Sequence, residues 1–317
     1  WPQITIPRDE KREVYVYPFA FFPPSFEADV NAYADRMRNV NLDDDGPLRP
    51  SRPATIETRT RQLRTAASVL ARSGVDPATI TGIARLVEVD NFKLILYFHM
   101  ERAGGKTSAG VAQIASCLRN VARHHVKVDE EHDRKMSAIC KRVSVQTGGL
   151  TAKNRERLRP FDDPEHVRQF LCLPDTIRQH VERDKRAPAQ KAVLAQMAAA
   201  IALLQAIPIR IANMCAIEIN RHLKPQRKGV HLVISESETK NRHPVDFNIP
   251  EHALGILRWY MTEYRPYLVR EPTDALFPGR NGKHKTAPTL GLQIKKTVFE
   301  FTGLAFNVHL FRHFAGK

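Results

Sequence analysis

Apolar residues recur at the spacing of an α-helix through most of this sequence, and the pattern changes to alternation between residues 229 and 250. In the stretch 54–73, for example, Ile56, Leu63 and Leu70 share one helix face. Around residues 229–250, alternating apolar and polar residues flank a polar turn, which predicts a β-hairpin. The two patterns together predict a mainly α-helical protein with one small β-sheet.

Chain length and breaker residues predict two domains. A chain of 317 residues is long enough to bury two hydrophobic cores. The glycine-containing polar run at 148–161 is typical of a linker. We therefore expect an N-terminal extension at 1–50 with one short helix, a helical bundle at 51–147, and an α+β domain at 162–317.

The positive charge is concentrated in two successive blocks. Lys and Arg number 49 against 34 Asp and Glu, so the formal net charge is +15. Residues 51–160 have a net charge of +10 and residues 161–317 one of +8, whereas residues 1–50 have −3. Hydrophobic residues make up 42% of the chain, which is typical of a folded protein. The sequence therefore predicts a globular protein that grips a polyanion from two sides.

Several protein classes do not fit the sequence. The four cysteines are far apart and form neither the paired spacing of a zinc ribbon nor a redox motif. The N-terminus has no secretory signal pattern. The apolar run 192–209 is interrupted by Gln196, Gln205 and Pro208, which disfavours a membrane span. We expect a cytoplasmic, nucleoid-associated protein with no membrane partner.

Basic side chains recur on the exposed positions of the predicted bundle. Each could belong to a solvated helix face, but the net charge of the segment favours contacts with phosphates. The candidates for DNA binding are Arg59, Arg61, Arg64, Arg119, Arg123, Lys141 and Arg142, together with Arg242 in the predicted hairpin turn.

The most informative motif is His309-Leu310-Phe311-Arg312-His313. Two histidines at i and i+4 share a helix face, as in zinc proteases with the motif His-Glu-x-x-His. Leu310 stands where those enzymes have their general base, and no third ligand is signalled. The motif therefore predicts no metal site, and on its own it also fits a helix with satisfied histidines.

A second signal is an arginine in an apolar neighbourhood, Ile207-Pro208-Ile209-Arg210-Ile211. A buried unpaired charge is costly, so Arg210 needs an anionic partner. That partner is either a carboxylate of the chain, such as Glu218, or a phosphate. Lys240 lies in the predicted hairpin turn, where Arg242 and His243 are its neighbours.

Arg210 before a helix, Lys240 in a hairpin and His309-x-x-Arg312-His313 follow the order found in the tyrosine recombinase, or phage integrase, family, which this chain resembles over most of its length. The resemblance implies a helical core-binding domain at 51–147 and a catalytic domain at 162–317 that together clamp double-stranded DNA. It also implies a homo-oligomer on DNA, a dimer on one site and a tetramer at synapsis. Neither a metal nor another cofactor is expected.

The resemblance also implies roles for individual residues. In this family a tyrosine attacks a DNA phosphodiester and forms a 3′-phosphotyrosine bond, so no ATP is needed. Arg210 and Arg312 would bind the non-bridging phosphate oxygens, where charge develops in the transition state. Lys240 would protonate the 5′-oxygen that leaves, and His309 and His313 would donate hydrogen bonds or shuttle protons.

Two features depart from the family pattern. Asn213 stands where the family commonly has an acidic residue, three positions after its first arginine. The nucleophilic tyrosine of the family lies downstream of the closing motif, and no tyrosine of this sequence follows Arg312. We therefore expect the nucleophile beyond Lys317 and no DNA cleavage by the chain as printed. The cluster Tyr260, Tyr264 and Tyr267 is expected to consist of core or interface aromatics.

Three alternatives share these residues. The chain could be a DNA-binding or architectural protein that uses the same scaffold without catalysis. A type IB topoisomerase-like enzyme and a telomere resolvase share the chemistry, and assembly into a tetramer on paired sites would exclude the topoisomerase.

Overall fold

The structure, a computed structural model, describes residues 15–39, 49–145, 149–239, 242–279 and 282–314. The chain divides into two compact units, Trp1–Gly148 (unit 1) and Gly149–Lys317 (unit 2). Each unit has a hydrophobic core of its own. The fold is mainly α-helical with a small antiparallel sheet, as the sequence patterns predict.

The described part of unit 1 consists of helices and turns. Its α-helices are α1 (Pro24–Arg38), α2 (Pro53–Arg72), α3 (Ala84–Val87), α4 (Val89–Arg102), α5 (Ala109–Val121) and α6 (Glu130–Val143). The side chains of Ser108 and Asp129 cap α5 and α6 by accepting hydrogen bonds from backbone amides of the first turn. Helix α5 continues into a π-helical turn at Ala122–Val126, which ends at Lys127 in a left-handed conformation with φ 59°.

Helix α1 belongs to the core of unit 1, which corrects the prediction that residues 1–50 form an extension. Phe26 and Val30 are fully buried, and α1 packs on α2. The Asp29 carboxylate accepts a hydrogen bond from the backbone amide of Ile83 (2.7 Å) and lies 2.7 Å from His125 Nε2. The excess of acidic residues in this segment argued against a core helix, although its apolar residues have helical spacing.

Unit 2 combines helices with a sheet. Its described elements are α7 (Ala152–Leu158), α8 (Pro164–Leu171), α9 (Leu173–Arg183), α10 (Pro188–Ala206), α11 (Ile211–Cys215), α12 (Ile219–His222), β1 (Leu223–Gln226), β2 (Gly229–Ile234), β3 (Val245–Asn248), α13 (Glu251–Trp259), α14 (Ala287–Thr302) and α15 (Phe311–Phe314). Short turns of other helical types lie at Arg159–Asp162, Tyr260–Tyr264 and Val308–Leu310.

The sheet has the order β1-β2-β3, and both strand pairs are antiparallel. The predicted hairpin is confirmed as β2 and β3, with Leu232 opposite Phe247. Strand β1 was not predicted, because its four residues, Leu-Lys-Pro-Gln, are too short and too polar to show an alternating pattern.

Helix α10 is the central core helix of unit 2. Among the described residues it is the one helix long and apolar enough to cross a membrane, but most of its surface is buried against the rest of unit 2. It packs on α9, α13, α14 and the Tyr260–Tyr264 turn. Burial on all sides accounts for its apolar composition.

The segment predicted as a linker, 148–161, is structured where it is described. Thr151 caps α7 by accepting a hydrogen bond from the Asn154 amide (3.2 Å). Leu158 and Phe161 are buried in the core of unit 2. The linker prediction is therefore corrected from residue 152 onward. Although most of this run is polar, Leu158 and Phe161 are enough to pack the short helix and the turn after it against the core of unit 2.

Candidate functional site

Arg210 is the N-terminal cap residue of α11. Its backbone is extended, and the residue as a whole is half-buried. The chain before it is anchored by Ile207 and Ile209, both buried in the core of unit 2. No described residue accepts a hydrogen bond from the Arg210 guanidinium or forms an ion pair with it within 4.0 Å. The sequence requires an anionic partner for this charge, and the described part of the chain supplies none.

Glu218, the carboxylate considered as that partner, is engaged elsewhere. Its Oε2 lies 3.9 Å from Arg221 Nη1, and its Oε1 lies 3.6 Å from His284 Nε2. The backbone amide of Glu218 donates to His222 Nδ1 (2.8 Å). Glu218 therefore stabilises the turn after α11 and does not neutralise Arg210.

Lys240, the predicted general acid between β2 and β3, lies outside the described residues. The described residue Glu238, which precedes it, is held by several contacts. Glu238 Oε1 lies 3.0 Å from Arg221 Nη2 and 3.1 Å from His222 Nε2. The Ser235 hydroxyl donates to Glu238 Oε2 (2.6 Å) and lowers the pKa of that carboxyl. Because Arg221 and His222 belong to α12, the hairpin turn is tied to the segment that follows the Arg210 helix.

Arg242, the predicted DNA-binding residue of this turn, is exposed and has a φ of 54°. Thr239 is buried at the other side of the turn and donates to the backbone oxygen of His243 (2.7 Å). The turn therefore presents the Arg242 residue to solvent from a fixed base.

The closing motif separates into inward apolar and outward polar residues. Leu310 and Phe311 are buried, whereas His309, Arg312 and His313 are exposed. The prediction that both histidines share one helix is wrong, because His309 lies in the 3-10 turn Val308–Leu310 and α15 begins only at Phe311. Within the described residues no group of three or more His, Cys, Asp or Glu side chains has the geometry of a metal site.

One core supports both arginines. Helix α14 contacts α11, which follows Arg210, and also the Val308–Leu310 turn, which precedes Arg312. The neighbours Ile209 and Phe311 belong to the same hydrophobic cluster. The two guanidiniums, far apart in sequence, are thus both carried by short elements attached to one rigid core.

An aromatic cluster anchors the helix that carries Arg312. The ring of Phe170 lies 4.7 Å from that of Phe306, 4.9 Å from Phe314, 5.2 Å from Phe161 and 5.3 Å from Phe311, measured between centroids. Such tilted and edge-on pairs are the favoured aromatic geometries. The cluster contacts α15 through Phe311 and Phe314 and so holds this short helix on the core of unit 2.

Sequence reasoning missed a buried lysine beside these elements. Lys285 is 8% exposed, and its Nζ donates to Gln293 Oε1 (2.9 Å) and to Gln196 Oε1. Its neighbour His284 places Nδ1 at 2.8 Å from the backbone oxygen of Cys215, at the end of α11. Burial lowers the pKa of Lys285 to about 8. The run of basic residues at 283–285 gave no sign that one of them points inward.

This lysine predicts a rise in stability at alkaline pH. A lowered pKa means that the folded state binds the proton less tightly than the unfolded chain, whose lysine pKa is about 10.4. The cost to the folded state is fully present below about pH 8 and disappears as the pH rises through about 10. We expect the unfolding free energy of the native chain to rise by about 2 kcal/mol between about pH 8 and about pH 10, relative to Lys285→Met.

Urea denaturation at a series of pH values measures this difference. Lys295→Met, which removes an exposed lysine on α14, is the matched control and should keep the pH profile of the native chain. If Lys285→Met and the native chain had parallel profiles, the buried lysine would not be the titrating group.

The predicted DNA-binding residues of unit 1 fall into two groups. Arg61, Lys141 and Arg142 are exposed and free to reach a ligand, and Arg123 is also exposed. The others are held by the protein, and each is half-buried: Arg59 donates to Gln62 Oε1 (3.4 Å), Arg64 lies over the Phe19 ring (5.5 Å) and Arg119 binds Asp133. The helical pattern alone does not separate these groups, because it does not show which cations have protein partners.

The tyrosine cluster is only partly in the core. Tyr260 is fully buried, its hydroxyl donates to the Leu276 backbone oxygen (3.1 Å) and accepts from Gln196 Nε2 (3.0 Å), and burial raises its pKa. Tyr264 is also buried, whereas Tyr267 is 53% exposed. The core prediction is therefore confirmed for the first two.

In comparisons with known proteins, the chain matches no model of a protein family and no curated protein.

Proposed function

We propose that this chain is a site-specific DNA strand transferase of the tyrosine recombinase type. Its substrate would be double-stranded DNA, and the reaction would pass through a 3′-phosphotyrosine intermediate without ATP or a metal. The proposal extends to an oligomer on DNA, a dimer on one site and a tetramer at synapsis, and to a nucleoid location. Both basic units would contact the duplex.

The observation that carries the proposal is the half-buried Arg210 without a carboxylate partner. A guanidinium that has lost part of its hydration needs a compensating anion. Glu218, the carboxylate considered within the chain, lies 3.9 Å from Arg221 and 3.6 Å from His284 and forms no ion pair with Arg210. A DNA phosphate supplies the missing charge, and a planar guanidinium binds two of its oxygens at once.

The proposed chemistry divides the reaction among the polar residues of the site. Arg210 and Arg312 hold the non-bridging oxygens while the tyrosine oxygen forms its bond to phosphorus and the bond from phosphorus to the 5′-oxygen breaks. Lys240 gives its proton to that 5′-oxygen, and a histidine of the closing motif takes the proton of the tyrosine hydroxyl. The leaving 5′-hydroxyl later attacks in reverse, so the bond energy is retained.

Trapping a covalent complex tests this proposal. A protein that extends beyond Lys317 is incubated with a nicked target site, which prevents religation, and the attached residue is mapped by mass spectrometry. We expect a phosphotyrosine downstream of Lys317. A link to Tyr260, Tyr264 or Tyr267 would contradict the proposal, and DNA binding without any covalent product would favour the non-catalytic alternative.

A further inference from the structure

We propose that α5 and α6 of unit 1 form a binding site for a single phosphate group, in which Asp133 acts as a positioning residue. In the context of the proposed function, on which this inference rests, the ligand is a phosphate of the DNA backbone. The residues of this site belong to unit 1, whereas those of the closing motif belong to unit 2.

A small polar cavity defines the site. Its volume is about 190 Å³, which is about six times the share of one molecule in liquid water. The residues that line it offer guanidinium, amide, hydroxyl and imidazole groups, and the described lining contains no carboxylate. They are Ser116, Arg119, Asn120, Arg123, His124 and Cys140.

The local structure of α5 explains why these groups converge. Ser116, Asn120 and Arg123 follow one another at i, i+4 and i+7 and therefore lie on one face of the helix. The opposite face, which includes Leu118 and Val121, is buried. From Ala122 the helix widens into the π-helical turn, a feature that is frequent at functional sites.

Asp133 holds Arg119 in one orientation. Arg119 Nε donates to Asp133 Oδ1 (2.9 Å) and Arg119 Nη2 donates to Asp133 Oδ2 (3.0 Å), so two parallel bonds fix the plane of the guanidinium. This pairing uses one edge of the group and leaves Nη1 for another acceptor. Arg119 also lowers the pKa of Asp133, so the carboxylate stays charged and the pair stays intact at neutral pH.

A second arginine gives the cavity a net positive charge. Arg123 Nε lies 3.8 Å from Asp133 Oδ2, too far for a hydrogen bond, and its side chain is 53% exposed. Two guanidiniums therefore share one carboxylate. One uncompensated positive charge beside an amide, a hydroxyl and an imidazole is the chemistry that binds a tetrahedral oxyanion.

The site makes a prediction that net charge alone does not make. Replacing Asp133 by alanine removes a negative charge, and a surface that acted only through its net charge would then bind DNA more tightly. If Asp133 orients Arg119 towards a phosphate, Asp133→Ala instead weakens binding. We expect a loss of roughly tenfold in affinity and a decrease of about 1 in the slope of log K against log salt concentration.

Fluorescence anisotropy of a labelled duplex of about 30 base pairs, with the full chain and about 50 to 200 mM KCl, measures both quantities. Arg123→Ala should match Asp133→Ala. The control is Glu130→Ala, which removes an exposed acid from the same helix and should leave the affinity unchanged or higher. Unchanged or tighter binding by Asp133→Ala, or weaker binding with an unchanged slope, overturns the inference.

A second arm uses inorganic phosphate and separates this inference from the proposed function. Phosphate at constant ionic strength should raise the melting temperature of the native chain but not that of Asp133→Ala. If phosphate has this effect and the native chain binds no duplex, the site takes a free phosphate and the DNA function is wrong. If DNA binds normally to Asp133→Ala, the DNA function stands and the site is wrong. The absence of both effects overturns both.

Discussion

Replacing Arg210 by alanine, in a protein that carries the nucleophilic tyrosine, is expected to slow strand cleavage about 100- to 1,000-fold, the cost of losing a preorganised oxyanion donor. Binding of the target site should stay within roughly tenfold, because under the proposed function many other phosphate contacts would support it. The reason is the position of Arg210: it is half-buried on a fixed core, without a carboxylate that must first release it.

Single-turnover cleavage and equilibrium binding, measured on the same site, separate the two effects. Arg312→Ala should show the same separation, since the proposed function assigns Arg312 to the same phosphate. Arg168→Ala is the matched control, because Arg168 is an exposed arginine of unit 2 that is already paired with Glu165 (2.7 Å). Equal losses of binding and cleavage in Arg210→Ala would identify it as an ordinary DNA contact.

Replacing Phe170 by alanine should lower the unfolding free energy by about 3 to 5 kcal/mol, the usual range for a buried phenylalanine. Phe170 is fully buried and packs against four other rings, so its removal takes away all of these contacts and leaves a cavity. Urea unfolding followed by the fluorescence of Trp259, which lies in the same core, measures the change.

The control for this prediction is Phe299→Ala. Phe299 is 57% exposed on α14, so its removal should change the unfolding free energy by less than about 1 kcal/mol. Similar losses for the two variants would mean that the aromatic cluster does not anchor the C-terminal motif. A moderate loss for Phe170→Ala, well below the expected range, would show that the neighbouring rings collapse into the cavity.

The long amphipathic helices were predictable, because their apolar periodicity extends over many residues, as it does in α2. The hairpin of β2 and β3 was predictable because alternating residues stand on both sides of a polar turn. The short elements were not predictable, since α7 and β1 have too few residues for a period to show, and their burial comes from neighbours far away in sequence. The packing of α1 was hidden for a different reason: its acidic residues lie on the same short segment as its apolar face.

The residues of the candidate site could be predicted from the sequence, but the ion pairs that these residues form could not. Arg210 could be singled out because an arginine among isoleucines needs an anion. Whether Glu218 met that need depended on the positions of Arg221 and His284, which no spacing rule gives. The same limit applies to Arg119, whose pairing with Asp133 joins two helices.

The aromatic cluster also sets the order in which unit 2 can be completed during synthesis. Its rings come from distant parts of unit 2, and Phe161 leaves the ribosome long before Phe306, Phe311 and Phe314. A nascent chain therefore exposes Phe161 and Phe170 until the closing motif emerges. Folding through such distant contacts is slow, so the arginine of the closing motif is fixed in place only after the whole unit has been made.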